Sequence, residues 1–153
     1  EDTDLGRAVS EGRRHEFSSF GWKPEDVPDP QAPETFQRSK LNWQELEDEP
    51  HAAMLQWYRD LIGLRQRFGD LSNGHMDQVT ATLEEQTGRL VVGRGRFAVL
   101  LNFGQEAAAF PLNAESPRYV ALQSKSDVRM ENDRVELPAE SVVILGPPEC
   151  RPT

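Results

Sequence analysis

Cysteine is nearly absent from this sequence, with Cys150 alone among 153 residues. A disulfide framework and a cysteine-based zinc site each need more than one thiol, so the sequence excludes both. Because Pro147 and Pro148 are expected to end the fold, we expect Cys150 to be an incidental residue of the tail. A single thiol also favours a reducing compartment, and we therefore expect a cytoplasmic protein.

Positive charge and long apolar runs are also scarce. The chain carries 17 basic and 26 acidic side chains, for a formal net charge of −9. An acidic chain suits neither nucleic-acid phosphates nor an anionic membrane surface, so we expect no nucleic-acid or membrane partner. No apolar run approaches the roughly 20 residues that a membrane span requires. The chain opens on Glu1 without a methionine or a signal-peptide pattern, and we expect a processed or excised fragment.

Residue types that carry catalysis or bind metals lack the spacing that such chemistry needs. The histidines His15, His51 and His75 lie at no metal-ligand spacing from one another or from the cysteine. No serine stands in a nucleophile-elbow pattern. The acidic run at 45–49 precedes a predicted helix, whose N-terminus favours negative charge. The residues alone therefore predict no catalytic site, no metal site and no cofactor.

Residues 1–70 have the pattern of helices and loops. The clearest helix is predicted from Pro50 to Phe68, where apolar side chains recur at three- and four-residue intervals and are expected to face a core. A first helix is predicted from Asp4 to Phe20 with Asp4 as its cap, and a short one from Pro33 to Ser39. Four prolines between residues 24 and 33 exclude a helix or a central strand there, so we expect a fixed surface loop.

Beyond residue 70 the apolar residues alternate with polar ones, and turn residues separate the runs, as in β-strands. The predicted strands are Val79–Leu83, Leu90–Val92, Phe97–Phe103, Ala107–Leu112, Tyr119–Leu122, Val128–Met130, Val135–Leu137 and Ser141–Leu145. Phe97–Phe103 is apolar throughout, which is typical of a central strand. Short strands at this spacing predict an antiparallel β-sandwich, so the expected fold class is α+β, with helices before the sandwich.

Several stretches resemble a known family. Trp57-Tyr58-Arg59-Asp60-Leu61-Ile62-Gly63-Leu64-Arg65 is similar to the last barrel helix of the alpha-amylase superfamily of glycoside hydrolases. Phe97–Phe103, which ends in Asn-Phe, and Ser141–Leu145 resemble strands of the sandwich that follows that barrel. Segments 3–17, 27–31 and 35–43, with Asp-Pro-Gln at 29–31 and Ser-Lys-Leu at 39–41, resemble the maltooligosyltrehalose trehalohydrolase branch of the superfamily.

The resemblance implies that the chain is the C-terminal part of such an enzyme. Residues 1–69 would be a remnant of the (β/α)8 barrel, comprising the loop between strand eight and helix eight and then the last helix. Residues 70–153 would be the C-terminal antiparallel β-sandwich. The parent would hydrolyse the α-1,4 bond beside the trehalose end of maltooligosyltrehalose, using three acidic residues on barrel strands four, five and seven. We therefore assign no catalytic residue here and expect the chain alone to be inert.

The resemblance also implies a subsidiary site and partners. Loops at the C-terminal face of a barrel build the active site. Four residues are accordingly candidates for an outer sugar subsite, with the tryptophan stacking on a pyranose ring: Asp29, Gln31, Lys40 and Trp43. The alternative is that these residues fix the loop to the barrel. The expected partners are the barrel of the parent chain, an α-glucan or maltooligosyltrehalose bound through the parent, and a second copy associating through barrel-facing helices.

Two other functions stay open. A 1,4-alpha-glucan branching enzyme shares the barrel helix and the sandwich, although the Asp-Pro-Gln and Ser-Lys-Leu segments disfavour it. A free-standing carbohydrate-binding β-sandwich module would present several exposed aromatic side chains. The aromatic residues of 71–153 are only Phe97, Phe103, Phe110 and Tyr119, and most of them fit core positions.

Overall fold

The computed structural model describes residues 2–150. Three helices come first: α1 (Thr3–Ser18), α2 (Pro33–Ser39) and α3 (His51–Arg67). Eight strands follow: β1 (Val79–Glu84), β2 (Arg89–Arg94), β3 (Phe97–Asn102), β4 (Ala108–Pro111), β5 (Tyr119–Gln123), β6 (Arg129–Met130), β7 (Arg134–Leu137) and β8 (Ser141–Gly146). The contacts divide the chain into two compact units, an N-terminal unit (Glu1–Glu47) and a sandwich unit (Asp48–Thr153).

Helix α1 is confirmed, but its predicted cap is wrong, because Asp2 rather than Asp4 caps it. The Asp2 carboxylate accepts hydrogen bonds from the backbone N–H groups of Asp4 at 3.1 Å and Leu5 at 3.0 Å. These donors have no partner within the helix, so the side chain satisfies them. The helix ends at Ser18, before the predicted end, and Gly21 then turns the chain with a φ of 81°.

The proline-containing loop between α1 and α2 is fixed within the N-terminal unit, as predicted. Pro24 opens a 3-10 turn, and Val27, which follows that turn, is buried. Helix α2 has the predicted bounds, with Pro33 in its first turn. A proline is tolerated there because the first backbone N–H groups of a helix have no acceptor within it.

The N-terminal unit has almost no hydrophobic core. Its buried residues, among those that the structure describes, are Ser10 and Val27. Its exposed large apolar side chains are Leu5, Val9, Phe20, Trp22, Phe36, Leu41, Trp43 and Leu46. Exposed apolar surface of this extent marks an interaction surface rather than the outside of a self-contained domain.

Two antiparallel sheets form the sandwich unit, with strand orders β1-β2-β3-β8-β5 and β4-β7-β6. The core cluster consists of Leu100, Phe110, Val135, Leu137, Val143 and Leu145, which come from both sheets. Strand β3 is the third of five strands, which confirms that Phe97–Phe103 supplies a central strand. Helices followed by an antiparallel sandwich confirm the predicted α+β fold class.

Helix α3 packs on the other face of the larger sheet. Successive side chains of a strand point to opposite faces, so Leu100 joins the core between the sheets while Phe97 faces the helix. Phe68 follows α3 and packs edge-to-face on Phe97, with ring centroids 5.0 Å apart. Leu61 and Leu64 of the helix join the same cluster. The sandwich unit therefore includes α3.

Two predicted placements of apolar side chains are wrong. Apolar residues of α3 are predicted to lie in a core, yet Met54, Tyr58 and Ile62 are more than half exposed, because the sandwich covers only one side of the helix. Cys150 is predicted to lie in a tail, yet it ends the 3-10 turn Pro148–Cys150 and is buried in the cluster that contains Phe97. The fold thus continues beyond the two prolines.

The predicted division into a barrel remnant (1–69) and a sandwich (70–153) stays a prediction. In the structure the N-terminal unit ends at Glu47, and α3 belongs to the sandwich unit, because it contacts β5 and the cluster behind the larger sheet.

Candidate functional site

Asp29 ties the proline-containing loop to helix α1. Its Oδ1 accepts hydrogen bonds from the Ser10 hydroxyl at 2.6 Å and from the Gln31 backbone N–H at 2.9 Å. Its Oδ2 lies 3.5 Å from the Arg14 guanidinium. The Ser10 hydroxyl first, then the Gln31 N–H and the Arg14 charge, hold the pKa of the Asp29 carboxyl below its usual value. Asp29 is therefore expected to be an ionised carboxylate whose two oxygens both contact neighbouring residues, which suits a positioning role.

Gln31 lies against the same helix. A Cβ on Gly6 would meet the Gln31 Oε1 at 3.5 Å, so the side chain rests over a position of α1 that has no side chain. The two residues line an open depression of about 460 Å³, together with Asp2, Thr3, Leu5 and Val9. The Gln31 side chain donates and accepts no hydrogen bond within the described residues, which leaves its amide available to a ligand.

Lys40 and Trp43 have contacts that are separate from those of Asp29 and Gln31. The Lys40 ammonium sits 4.7 Å from the centre of the Phe36 ring, a cation–π arrangement across the end of α2. Trp43 begins the 3-10 turn Trp43–Glu47 and is 70% exposed. No hydrogen bond, ion pair or ring contact in residues 2–150 joins Lys40 or Trp43 to Asp29 or Gln31. The structure therefore groups the four candidates as one pair and two separate side chains.

Sequence reasoning missed Ser10, the buried partner of Asp29. Its hydroxyl also lies 3.2 Å from the Gly6 carbonyl oxygen, one helical turn earlier. Gly6 and Ser10 are small residues at a spacing of four, which places them on one face of α1 and lets another segment approach closely. That spacing was the available signal, although it does not identify the segment that approaches.

A second polar cluster lies in the sandwich unit. Arg96 contacts both Asp70, at 2.8 Å, and Glu149, at 3.1 Å. Arg94 donates to the backbone carbonyl of Asp70 at 2.9 Å, and Arg67 donates to that of Glu149 at 2.6 Å. The side-chain and backbone hydrogen bonds from Arg96 hold the pKa of Asp70 below its usual value. The cluster joins the segment after α3 to the β2–β3 turn and to the 3-10 turn Pro148–Cys150.

Neither perturbed carboxyl suits the role of a general acid. An acid that protonates a leaving group at neutral pH needs a raised pKa. The pKa values of Asp29 and Asp70 are both lowered, each by hydrogen bonds to the charged form. Both side chains are thus expected to be ionised and to act structurally.

Several kinds of site find no support in the described residues. Within 2–150, no group of three or more His, Cys, Asp or Glu side chains could hold a metal ion. None of the helices in that range is long and apolar enough to span a membrane. In the same range, every buried side-chain nitrogen and oxygen has a hydrogen-bond partner. A binding site is therefore to be sought among exposed side chains.

The described strands and loops beyond residue 70 expose few aromatic rings on which a sugar could stack. Beyond residue 70, Phe97 and Phe110 are buried and Tyr119 is half-buried, whereas Phe103 is well exposed. The exposed Trp22 and Trp43 lie in the N-terminal unit instead. Stacking on a pyranose face is thus better served by the N-terminal unit.

Comparison with known proteins identifies the relatives of this chain. No protein-family model matches it. Malto-oligosyltrehalose trehalohydrolases are 37% identical over 144 residues in Mycobacterium tuberculosis and 39% identical over 145 residues in Rhizobium sp. (strain M-11). Each alignment covers 94% of this chain and 24% of the relative. The Deinococcus radiodurans protein of that name is 46% identical over 109 residues, 69% of this chain and 18% of its own.

A solved structure agrees with these relatives. The crystal structure described as "Putative alpha Amylase from Salmonella typhimurium" superposes with a TM-score of 0.69 at 30% identity, over 95% of this chain and 24% of that chain. The chain thus spans about a quarter of the length of the proteins that it matches. Relatives and fold together confirm that the chain corresponds to the C-terminal part of a maltooligosyltrehalose trehalohydrolase-like enzyme of the alpha-amylase superfamily of glycoside hydrolases.

Proposed function

We propose that this chain is the non-catalytic C-terminal region of a glycoside hydrolase that cleaves maltooligosyltrehalose and releases trehalose, and that it supports the catalytic barrel. One observation carries the proposal. Met54, Tyr58 and Ile62 recur every four residues along α3 and form an exposed apolar stripe, although the helix already packs on the sandwich through Leu61 and Leu64. Because an apolar stripe of a helix normally faces a core, the second stripe indicates a second body that covers it.

The catalytic step belongs to the missing barrel in this proposal. Retaining glycosidases need two carboxyl groups about 5–5.5 Å apart, one of them with a raised pKa. The two carboxyls with a lowered pKa, Asp29 and Asp70, are bound to Ser10 and to Arg96 and are suited to fixing loops. Neither fits the acid role, which supports the proposal that this region contributes no catalytic residue. We also place the protein in the cytoplasm, where its free Cys150 would stay reduced.

We further propose that the N-terminal unit forms an outer sugar subsite when the barrel is present. Trp43 supplies an exposed ring for stacking on a pyranose face. Gln31 and Lys40 supply hydrogen bonds to sugar hydroxyls, and Asp29 positions the loop that carries Gln31. The hydrogen bonds of Asp29 favour a positioning role for that residue over direct contact with sugar.

The test compares the chain with a longer polypeptide, here called the joined chain. In it, this chain replaces the matching quarter of the Rhizobium relative. Incubation with maltooligosyltrehalose should give no trehalose with the chain alone and trehalose with the joined chain. Trehalose release by the chain alone would overturn the proposal, as would a joined chain that folds and branches α-1,4-glucan instead.

The subsite is tested by Trp43→Ala in the joined chain. A stacking role predicts a KM raised about tenfold with kcat little changed, since the lost contact binds the substrate away from the reacting bond. Phe20→Ala, at another exposed aromatic residue of the same unit that lies outside α1 and α2, should leave KM within about twofold. Equal effects of the two substitutions would contradict a sugar-stacking role for Trp43.

The carbohydrate-binding module is the second candidate. It predicts that the chain alone binds amylose and that Phe103→Ala abolishes the binding. The well-exposed Phe103 is the observation in its favour, and the burial of Phe97 and Phe110 weighs against it. We expect no retention of the chain on immobilised amylose.

A further inference from the structure

The N-terminal unit buries almost no apolar side chains of its own. Val27 is its buried apolar residue among residues 2–47, whereas six apolar residues lie fully enclosed between the sheets of the sandwich unit. Leu41 and Trp43 are at least 70% exposed. Ordering a chain segment loses conformational entropy at every residue, and burial of apolar surface is the main term that offsets this loss. The N-terminal unit by itself buries too little apolar surface to offset this loss of entropy.

Hydrogen bonds and ring contacts, rather than a buried apolar core, hold the described part of this unit in shape. Asp2 caps α1, Ser10 binds Asp29, and the Phe17 ring packs on Trp22 with centroids 5.2 Å apart. Helix α2 has only seven residues. Isolated helices shorter than about 12–15 residues are marginal in water even in favourable sequences. These contacts define a conformation but do not supply enough buried surface to maintain it.

We propose that residues 2–47 fold only when they dock on the rest of the parent polypeptide, which supplies the apolar core that this unit lacks. The inference rests on the proposed function, because it takes the upstream barrel as the occupant. The relatives are about four times as long as this chain, so that a large body outside it is available. The surface that the barrel covers consists of the exposed apolar side chains of α1 and α2 together with Leu41 and Leu46, whereas Trp43 stays open to the sugar.

Charge disfavours a second copy as the occupant. Residues 1–47 contain 11 acidic and 6 basic side chains, a net charge of −5. Two such surfaces facing each other would repel, since like charges brought together across an interface lower affinity. The partner surface is therefore expected to be apolar at its centre and neutral or basic at its rim.

Hydrogen–deuterium exchange tests the proposal without any enzymatic assay. In the chain alone, which sedimentation should show to be monomeric, amides of α1 should exchange at least about 100-fold faster than those of β3 and β8. In the joined chain, and in the matching segment of the intact Rhizobium relative, the α1 amides should be slowed by at least about 100-fold. Protection of α1 in the monomeric chain alone overturns the proposal, and protection that appears only in a dimer overturns the barrel as the occupant.

Two substitutions distinguish docking of the N-terminal unit from folding of the sandwich unit. Leu41→Ser in the joined chain should restore fast exchange to the N-terminal unit and leave β3 protected, whereas Gln37→Ser, at an exposed polar position, should change neither. In the chain alone, Leu41→Ser should have no effect on exchange. A joined chain that protects α1 but releases no trehalose would contradict the proposed activity and leave the docking proposal supported, so the two can fail separately.

Discussion

Arg96 donates hydrogen bonds to the Asp70 carboxylate from both its backbone N–H and its guanidinium. The Arg96 N–H donates to Asp70 Oδ1 at 3.1 Å, and its guanidinium donates to Oδ2 at 2.8 Å. The same guanidinium reaches Glu149 at 3.1 Å. Three segments that are far apart in the sequence, the turn after α3, the β2–β3 turn and the last turn, thus meet at one arginine.

The first prediction concerns Asp70→Asn. We expect the free energy of unfolding at pH 7 to fall by about 1 kcal/mol, the upper end for a solvent-screened ion pair. Because the hydrogen bonds from Arg96 hold the pKa of Asp70 in the folded chain below its ordinary value, the carboxylate stabilises the fold above that ordinary value, and the effect is lost as the pH falls through the folded pKa. Urea unfolding followed by circular dichroism measures the loss of stability at pH 7 and shows whether that loss becomes smaller at about pH 3.

Asp127→Asn is the control for this substitution. Asp127 is exposed and has no ion pair or hydrogen bond in the described residues. The control should shift unfolding by less than about 0.5 kcal/mol at either pH. A wild-type protein and an Asp70→Asn variant that differ equally at both pH values would contradict the assigned role of the carboxylate.

The second prediction concerns Asn102, which closes the loop after β3. Its amide donates to the carbonyls of Glu106 at 2.8 Å and Pro138 at 2.9 Å, and its Oδ1 accepts from the Gly104 N–H at 3.0 Å. Asn102→Ala should cost about 2–3 kcal/mol, because buried backbone groups lose their partners. Asn102→Asp should cost at least as much at neutral pH, since a carboxylate cannot donate to the two carbonyls.

Urea unfolding curves check this prediction against Asn132→Ala. Asn132 is exposed, and its backbone carbonyl rather than its side chain accepts a hydrogen bond from Arg118. Its replacement should change the free energy of unfolding by less than about 0.5 kcal/mol. The prediction is wrong if Asn102→Ala and Asn132→Ala unfold at the same urea concentration.

The third prediction separates the two apolar sides of α3. Leu64→Ala in the chain alone should cost about 1–3 kcal/mol, because Leu64 packs behind the larger sheet. Ile62→Ala should cost less than about 0.5 kcal/mol there, since Ile62 is exposed. In the joined chain Ile62→Ala should cost more than about 1 kcal/mol, because the barrel would cover the stripe. An Ile62→Ala effect that is equally small in both polypeptides would argue against the stripe as the barrel contact.

The fourth prediction concerns the thiol of Cys150. Burial is the main cause that raises its pKa, so the folded chain holds it as an unreactive thiol. Ellman's reagent should label it at least about 100-fold more slowly in the native chain than in urea. Since the folded pKa lies above the unfolded one, this residue stabilises the fold at neutral pH, and the stabilisation is lost as the pH rises through the folded pKa.

Gly146→Ala provides the structural control for that labelling. A Cβ at Gly146 would lie 2.7 Å from Cys150 Sγ and 2.5 Å from the Phe97 ring, so the last turn has to move and labelling should accelerate. Gly74→Ala, where a Cβ meets nothing within 4 Å, should leave the rate unchanged. Fast native labelling of the unmodified chain would contradict the buried position of the thiol.

Local patterns predicted most of the elements, because the forces that decide them act between near neighbours. Strand β3 followed from a continuous apolar run and helix α2 from a proline at a helix start, and both match the structure to within one residue. The cap of α1 was placed two residues late, since Asp2 and Asp4 are equally good caps by composition. The four candidate site residues were chosen from a resemblance, and their role in sugar binding stays a proposal.

Which side chains meet, and which stay uncovered, was decided only by the tertiary structure. Ser10 and Asp29 are 19 positions apart and Asp70 and Arg96 are 26 apart, and no periodicity links such pairs. Sequence periodicity shows that α3 has apolar sides, but burial depends on what packs against each side. By itself the sequence determined the order of helices and strands and the family, because these follow from local patterns and motifs. The tertiary structure decided that Met54, Tyr58 and Ile62 stay more than half exposed, because exposure depends on everything that packs around a side chain.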